Sequence, residues 1–384
     1  MRVALIDPSL FTLPYDRALL GGLVQGGHEA VLFARKPGRD DNDLGDVPLR
    51  PLFYRLADSA AGRGLPGPLR LPLKGLDHAV SMMALRRALQ RWRPGVIHFQ
   101  WLALPMVDRA FLPALRRIAP LVLTVHDTNP FNGDPSASIQ ARGFLDGLSA
   151  FDRLIVHTEQ GRARLVAAGL PAERLAVLPH GPLTALPAPV PNPMTGPLTF
   201  LLFGKIKPYK GLDLLLSAFA ALPPMLRSQA RLRVVGKPYM DLGPIHAQAD
   251  RLGITDRLEI EPRFVADDEV DALFGPGTVA VFPYREIEAS GVLSIALAHA
   301  CPVIASALGN FAEGVRDGVD GVLVETGDVP ALTAALARMI SDREFAASCS
   351  RSARQGAEAG PGWVDIAGQT AALYQALPRA TAGS

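Results

Sequence analysis

Three lysines lie within one short turn of this chain, Lys205, Lys207 and Lys210. An apolar run at Leu198–Phe203, which predicts a buried strand, precedes the turn, and apolar residues at helical spacing follow it over residues 212–219. A strand, a turn and a helix N-terminus in this order present backbone N–H groups and the positive end of a helix dipole to an anion. Because a lysine ammonium is a compact point charge suited to phosphate, the pattern indicates a phosphate-binding site.

Lysine is rare in the rest of the chain, so its frequency in this turn is unusual. Only six of the 39 basic residues are lysines, so half of the lysines lie in one eight-residue stretch. A solvated surface turn is the alternative, but the apolar strand and helix on either side favour a fixed turn. A Walker A loop is excluded because it requires Gly-Lys-Ser/Thr, whereas the order here is Lys210-Gly211-Leu212.

A second cluster of polar residues precedes another apolar segment, Ser294–Ala300. Ser290 and Gly291 open the predicted helix, so we expect their N–H groups to form a second anion-binding cradle. Glu286 and Glu288 come just before them and supply carboxylates that can accept hydrogen bonds from the hydroxyl groups of a ligand. An exposed acidic loop without a ligand is the alternative interpretation.

Polar residues also follow a predicted strand in the first half of the chain. His126 and Asp127 come directly after the apolar run Leu121–Val125. Active-site groups of α/β proteins lie in loops beyond the carboxyl ends of such strands. A histidine that makes only structural hydrogen bonds is the alternative for His126, and a structural role is the preferred interpretation for His180.

Alternating strand and helix patterns in both halves of the chain must position these residues. Runs that predict strands lie at residues 2–6, 28–34, 95–99, 121–125, 152–157, 175–178, 198–203, 231–235, 257–260, 279–282, 302–305 and 321–324. The alternation predicts doubly wound parallel sheets, although the Gly-x-Gly-x-x-Gly dinucleotide motif is missing. The segment Arg39–Gly75 contains many prolines and glycines and is predicted to be rich in loops.

The length of 384 residues is sufficient for two domains. Residues 182–197 contain six prolines, which predicts a stiff linker. We therefore expect a first domain over residues 1–182, a linker over 183–197, a second domain over 198–360 and a terminal helical segment over 361–384.

Composition excludes several classes of protein. The net charge is +2, so no strong overall field points to a nucleic-acid partner. No run approaches the roughly 18 apolar residues of a membrane span, no signal peptide is visible, and metal-ligand spacings such as Cys-x-x-Cys are missing from the sequence. With only Cys301 and Cys349, we expect reduced thiols and a cytoplasmic location.

One region departs from this balanced charge. Residues 50–117 contain twelve basic and three acidic residues, a surplus of nine. Within it, residues 81–93 predict an amphipathic helix, with Met82 and Leu85 on the apolar side and Arg86 and Arg87 away from it. The helix is interpreted either as a core helix with a solvated arginine face or as a patch for anionic lipid or a diphosphate-bearing acceptor.

The lysine turn resembles a segment of a known enzyme family. Residues 203–219, FGKIKPYKGLDLLLSAF, are similar to the FGRIRPYKGLDLLLEAF segment of retaining glycosyltransferases of the GT-B fold, glycosyltransferase family four. Residues 122–131 and 289–306 resemble two further segments of that family, and the similarity covers most of the chain. The resemblance implies two Rossmann-like domains facing each other across a cleft, with the terminal segment crossing back to the first domain.

The same resemblance implies roles for individual residues. Lys205 and Lys210 would hold the diphosphate of a nucleotide-sugar donor, His126 would contact the donor sugar, and Glu286 or Glu288 would bind its hydroxyls. The four residues implied in catalysis are His126, Lys210, Glu286 and Glu288. The implied donor-binding residues are Gly204, Lys205, Lys210, Gly236, Arg263, Phe264, Val265, Ser290, Gly291 and Val292. The acceptor side is expected at Phe11, Tyr15, Trp101 and Asp127.

The implied activity is sugar transfer with retention of configuration, without a metal or other cofactor, onto a glycan, a lipid-linked acceptor or a small molecule. Polysaccharide or glycoconjugate biosynthesis is the expected setting. A lipid-linked acceptor would suit peripheral contact of residues 50–117 with the anionic inner face of the membrane.

One departure from the family leaves two other functions open. Ile287 and Ile295 occupy the positions of two family glutamates, the second of which binds ribose hydroxyls in the family, and only Glu286 and Glu288 flank the first position. The alternatives are a non-catalytic relative that binds a nucleotide sugar or a partner protein, and another enzyme of the same fold, such as a nucleotide-sugar epimerase.

Overall fold

The computed structural model describes residues 1–38, 41, 45–59, 64, 66–128, 143–183, 192, 194–287 and 290–378. The chain divides into two units. Unit 1 comprises Met1–Gly181 together with Pro361–Ser384, and unit 2 comprises Pro182–Gly360.

Within the described residues, unit 1 contains a seven-stranded parallel sheet of order β3-β2-β1-β4-β5-β6-β7. Its strands are β1 (Arg2–Asp7), β2 (Glu29–Arg35), β3 (Leu49–Phe53), β4 (Val96–Phe99), β5 (Leu121–Val125), β6 (Arg153–Val156) and β7 (Leu175–Val177). The central strands are buried along their whole length, as expected for a parallel sheet covered on both faces.

Helices cover both faces of this sheet. They are α1 (Leu13–Gln25), α2 (Gly67–Trp92), α3 (Pro105–Arg116), α4 (Phe144–Leu148) and α5 (Glu159–Ala167). The last helix of the chain also belongs to unit 1 and packs against α1. The two helices approach so closely that a Cβ atom at Gly22 would collide with the carbonyl of Trp363.

Unit 2 contains a six-stranded parallel sheet of order β10-β9-β8-β11-β12-β13. Its strands are β8 (Leu198–Phe203), β9 (Ala230–Val235), β10 (Leu258–Glu261), β11 (Thr278–Phe282), β12 (Val303–Ser306) and β13 (Gly321–Val324). Its helices are α6 (Leu212–Ala220), α7 (Pro224–Arg227), α8 (Gly243–Leu252), α9 (Val270–Leu273), α10 (Gly291–Ala298), α11 (Gly309–Gly314), α12 (Val329–Ser341) and α13 (Arg343–Ala359). The last helix of the chain, which belongs to unit 1, is α14 (Trp363–Gln375).

The twelve predicted strands are confirmed, with ends that differ by at most one residue. The loop prediction for Arg39–Gly75 is wrong in two places, because β3 and the first nine residues of α2 lie within it. The proline and glycine content of Gly67–Gly75 indicates a loop, whereas α2 continues through Pro72. Burial of Met82, Leu85 and Leu89 in the core of unit 1 stabilises the helix beyond its local propensity.

In both sheets the strand order reverses beside the first strand of the unit. In unit 1 this switch point lies between β1 and β4, and in unit 2 it lies between β8 and β11. Ligands of open α/β sheets bind outside the carboxyl ends of the strands at such points. The lysine turn follows β8, and the polar cluster around Glu286 follows β11.

Two further features concern the sequence predictions. Cys301 and Cys349 are free thiols buried in unit 2. In the part of the chain that the structure describes, no helix combines the length and the apolar character needed to cross a membrane.

Candidate active site

The lysine turn holds Lys210 in a buried position at the carboxyl end of β8. A short 3₁₀ turn, Pro208–Lys210, follows the strand, and Lys210 is only 5% exposed. Its Nζ donates a hydrogen bond to the carbonyl oxygen of Phe203 at 3.2 Å. The same atom lies 5.1 Å from the centroid of the Tyr284 ring. The ammonium is thus held by a carbonyl and an aromatic face.

The electrostatic setting of Lys210 favours an anion. Burial, followed by repulsion from Lys205 and Lys207, lowers the pKa of Lys210 to about 7. Lys205 is exposed, but partial desolvation and the charges of Lys207 and Lys237 lower its pKa as well. Among the described residues, no carboxylate forms an ion pair with Lys210. A bound anion would supply the missing counter-charge.

Three glycines allow the surrounding backbones to approach. Gly204 and Gly236 follow β8 and β9, and a Cβ at Gly236 would collide with the carbonyl of Gly204. Gly211, at φ +67°, packs against the carbonyl of Pro283 in the same way. Because Gly211 directly follows Lys210, this contact fixes the lysine between the loops after β8 and β11.

The N-terminus of α10 differs from the sequence prediction. The N–H of Ser290 donates to Asn310 Oδ1 at 2.9 Å, and Asn310 Nδ2 donates back to the Ser290 carbonyl at 3.2 Å. The predicted anion contact of the Ser290 amide is therefore wrong, because that donor is already used. The amides of Gly291 and Val292 lie in the first turn, where N–H groups have no acceptor within the helix.

The two glutamates before α10 are described only in part. Glu286 is partly exposed, and Glu288 lies outside the described residues. Ile295 is buried in the apolar core of unit 2, against which Ile287 also packs. Apolar packing thus explains the residue types at both isoleucine positions.

The segment Arg263–Val265 follows β10. The Arg263 guanidinium donates to Glu261 at 3.2 Å and to Glu269 at 3.0 Å, so it forms the salt bridges of an ordinary surface arginine. Phe264 is 46% exposed, whereas Val265 is buried. Of these three side chains, only Phe264 presents a substantial open surface.

In unit 1, His126 follows β5 and lies in a row of mostly buried polar groups. Its Nε2 is 3.2 Å from Gln100 Oε1, and its Nδ1 is 3.2 Å from His157 Nε2. His157 Nδ1 donates to the Leu178 carbonyl at 3.0 Å. Burial, with repulsion from His157, His180 and His98, lowers the pKa of His126 well below its ordinary value. At neutral pH the ring is therefore an uncharged imidazole.

The expected acceptor-side residues divide into two groups. Phe11 and Trp101 stack with ring centroids 4.5 Å apart, and Phe11 is 49% exposed. Asp127 is also partly exposed. Tyr15 is 3% exposed, so the prediction that it faces an acceptor is wrong. Its ring packs edge-on against the ring of His126 at 4.6 Å and supports that histidine.

His157, Asn310 and Tyr284 were not among the predicted site residues. His157 follows β6 as His126 follows β5, so the repeated strand–histidine pattern was a usable signal. Nothing local pointed to Asn310, because its partner Ser290 lies twenty residues earlier in the chain. Within the described ranges, no group of three or more His, Cys, Asp or Glu side chains has the arrangement of a metal site.

Models of two protein families match this chain. Residues 17–182 match the description "Glycosyltransferase Family 4", and residues 197–342 match "Glycosyl transferases group 1". A D-inositol 3-phosphate glycosyltransferase of Acidothermus cellulolyticus is 28% identical over 352 residues, which are 83% of this chain and 75% of that protein. A protein of the same name from Streptomyces coelicolor is 31% identical over 309 residues, 69% of this chain and 66% of that protein.

Solved structures show the same fold. Sucrose-phosphate synthase from Thermosynechococcus elongatus superposes with a TM-score of 0.77 at 21% identity, over 98% of both chains. Anabaena HepE in complex with UDP-glucose superposes with a TM-score of 0.76 at 18% identity, over 98% of this chain and all of that one. The prediction of two Rossmann-like units of the GT-B fold class is confirmed. The chain belongs to the group 1 glycosyl transferases of glycosyltransferase family 4.

Proposed function

We propose that this protein transfers a sugar from a nucleoside diphosphate sugar to an acceptor hydroxyl with retention of configuration. The buried ammonium of Lys210 is the observation that carries the proposal, because it lies at a sheet switch point without a carboxylate partner among the described residues. The diphosphate of a nucleotide sugar carries two negative charges. The positive charges of Lys210 and the nearby Lys205 balance these two negative charges.

In the proposed reaction, the bond between the anomeric carbon and the diphosphate oxygen breaks, and negative charge grows on the departing group. Lys210, Lys205 and the amides of Gly291 and Val292 stabilise that charge. A preorganised donor of this kind contributes on the order of 3 kcal/mol to the transition state. We assign this role to the lysines rather than to a metal ion, because their charge already balances the diphosphate.

The remaining roles follow the same assignment. His126, as a neutral imidazole, contacts the donor sugar, and Glu286 or Glu288 accepts hydrogen bonds from its hydroxyls. The acceptor oxygen forms the new bond to the anomeric carbon on the side from which the diphosphate leaves. Its hydroxyl proton passes to an oxygen of the departing diphosphate, so no protein nucleophile is needed. Gly204, Gly236 and the segment Arg263–Val265 line the nucleotide end, where Phe264 offers an exposed ring.

Two observations guide the choice of substrates. HepE was solved with UDP-glucose, which makes uridine diphosphate sugars the first donors to test. The related curated proteins are named for inositol 3-phosphate, so a polyol phosphate is the first small-molecule acceptor, with glycan and lipid-linked acceptors next. The exposed stack of Phe11 and Trp101 is suited to contact with a sugar or polyol ring.

The test is a transfer assay with the purified protein, a panel of nucleotide sugars and these acceptors. Lys210→Ala is expected to abolish transfer. The matched control is Lys74→Ala, which removes an exposed lysine of α2 and should retain activity. Full activity in Lys210→Ala would refute the phosphate assignment.

A second function has one observation in its favour. The buried Ile295 supplies no carboxylate near the start of α10, which suits a non-catalytic relative that binds a nucleotide sugar or a partner. Donor consumption in the transfer assay separates this binding role from catalysis. A nucleotide-sugar epimerase would instead convert the donor to an isomeric nucleotide sugar without any acceptor.

We also propose that α2 contacts an anionic membrane surface from the cytoplasmic side. Four apolar side chains, at least 44% exposed, lie along one face of the helix: Leu69, Leu76, Val80 and Met83. Exposed Arg87 and Arg91 continue this face toward the C-terminus of the helix. An apolar stripe that ends in basic residues is suited to an interface of anionic lipid.

Vesicle co-sedimentation tests the membrane proposal. Binding to vesicles that contain phosphatidylglycerol is expected to be stronger than binding to phosphatidylcholine vesicles, and Leu76→Glu should abolish it. Met225→Glu is the control, because Met225 is 79% exposed in unit 2. Equal binding of both variants would contradict the assignment to α2.

A further inference from the structure

Tyr284 carries a polar group that the fold leaves unused. It follows β11 and Pro283, and its side chain is fully buried. Among the described residues, its hydroxyl is the buried side-chain group that lacks a hydrogen-bond partner. Such a group costs free energy in the folded protein. A phenylalanine would fill the same space without that cost.

Packing holds the Tyr284 ring in one place. The rings of Tyr209 and Phe282 meet it edge-on with centroids at 5.8 Å, and Phe311 does so at 5.2 Å. These three contacts explain why an aromatic ring occupies the position. They do not explain the hydroxyl, because all of them are made with the carbon atoms of the ring. The oxygen therefore calls for an explanation outside the apolar core.

The ring of Tyr284 lies beside the proposed diphosphate site. The ammonium of Lys210 is 5.1 Å from the centre of the same ring. The Ser290 side chain, at the N-cap of α10, is a close polar neighbour of the Tyr284 hydroxyl, but the two groups do not meet the geometry of a hydrogen bond. Burial raises that pKa well above the ordinary value, so the group keeps its hydrogen and remains a donor.

Three kinds of donor thus converge at one end of the unit 2 sheet. They are the Lys210 ammonium, the first amides of α10 and the Tyr284 hydroxyl. We propose that the Tyr284 hydroxyl donates a hydrogen bond to the diphosphate of the donor substrate. The inference rests on the proposed function and adds a binding residue to it. The fold leaves this hydroxyl unpaired because the diphosphate accepts its hydrogen bond when the substrate binds.

Tyr284→Phe tests the proposal, because it removes the oxygen and keeps the ring. Titration of the full-length protein with UDP, GDP and ADP by calorimetry first identifies a nucleoside diphosphate that binds. Affinity for that nucleotide is expected to fall about tenfold in Tyr284→Phe, the effect of one lost hydrogen bond. Urea unfolding without ligand should show unchanged or increased stability, since an unpaired hydroxyl has been removed.

Tyr54→Phe is the matched control. Its buried hydroxyl is hydrogen-bonded to His78 Nδ1 at 2.9 Å, so its loss should lower stability and leave nucleotide affinity unchanged. Unchanged nucleotide affinity in Tyr284→Phe, with affinity lost in Lys210→Met, would overturn the role of Tyr284 alone. Failure of all three nucleotides to bind the wild-type protein would overturn the proposed function and this inference together.

Discussion

His157 Nε2 lies 3.2 Å from His126 Nδ1, and the two rings form the middle of a chain of polar groups that ends on two acceptors. One end is the Leu178 carbonyl at His157, and the other is Gln100 Oε1 at His126. This series of groups makes three contacts, and each needs one hydrogen to become a hydrogen bond. Two neutral imidazole rings supply only two hydrogens. One additional proton on the pair would satisfy every link, although burial opposes its charge.

Gln100→Glu should therefore raise the pKa of His126, because a carboxylate at this position stabilises the protonated ring. Proton–nitrogen NMR of the imidazoles across pH 5 to 8 measures the change. The expected result is a His126 signal that titrates in the variant and remains neutral in the wild type. Gln248→Glu in unit 2 is the control, and a His126 ring that stays neutral in Gln100→Glu would contradict the assignment.

The second prediction concerns stability and pH. Lys210 has a pKa of about 7 in the folded protein and an ordinary value of 10.5, so the unfolded chain binds more protons between these values. Stability should therefore rise as pH increases from 7 toward 10. The lowered pKa means that burial of Lys210 destabilises the folded protein at pH 7, and Lys210→Met removes this cost. The variant should therefore be more stable than the wild type at pH 7, by on the order of 4 kcal/mol.

Urea unfolding at pH 7 and pH 9.5 checks that prediction. The stability difference between Lys210→Met and the wild type should shrink at the higher pH, where the lysine is largely neutral in the folded state. A difference that is equal at both pH values would show that Lys210 is not desolvated in the folded protein.

Nucleotide binding should also move a proton. A diphosphate beside Lys210 favours the ammonium, so binding at pH 8 should take up on the order of one proton, because free Lys210 is then mostly neutral. Calorimetry of the wild-type protein in buffers of different ionisation enthalpy measures the uptake. At pH 6 the uptake should be small, because Lys210 is then already mostly protonated before the nucleotide binds. Equal uptake at both pH values would argue against Lys210 as the titrating group.

Alanine substitutions at two glycines distinguish the cost of a left-handed backbone conformation from the cost of a steric clash. Gly211 and Gly253 have nearly the same left-handed conformation, at φ +67° and +63°. A Cβ at Gly253 meets no atom within 4 Å, whereas one at Gly211 collides with the Pro283 carbonyl. Gly253→Ala should cost about 1 kcal/mol of stability. Gly211→Ala should cost roughly 2 kcal/mol more, because the loops after β8 and β11 must separate.

Urea unfolding of both alanine variants measures these costs, and nucleotide titration measures the effect on the site. Gly211→Ala should also weaken nucleotide binding, since it displaces the neighbouring Lys210. Equal stability losses in the two variants would mean that the close approach of Gly211 to Pro283 has no energetic weight.

Much of this fold could be predicted from local sequence patterns. Strands buried on both faces are continuous apolar runs, and the lysine turn is marked by composition, so β8 and the position of Lys210 followed directly. The burial of Tyr15 could not be predicted in this way. Its ring is enclosed by His126, His157 and Trp363, which come from distant parts of the chain.

The remaining errors have the same origin. The amide of Ser290 is occupied by the side chain of Asn310, a contact between segments that no local pattern links. The helix through Pro72 contradicts local propensity because packing of its later turns outweighs one poor residue.

The close packing of α1 against α14 has a consequence for synthesis of the protein. The first helix of the chain rests on the last one, and the residues of unit 2 lie between them in sequence. While the chain emerges from the ribosome, unit 2 is complete before the partner of α1 has been translated. Unit 2 can therefore finish folding first, whereas the nascent unit 1 keeps the α1 surface around Gly22 uncovered until translation reaches Trp363.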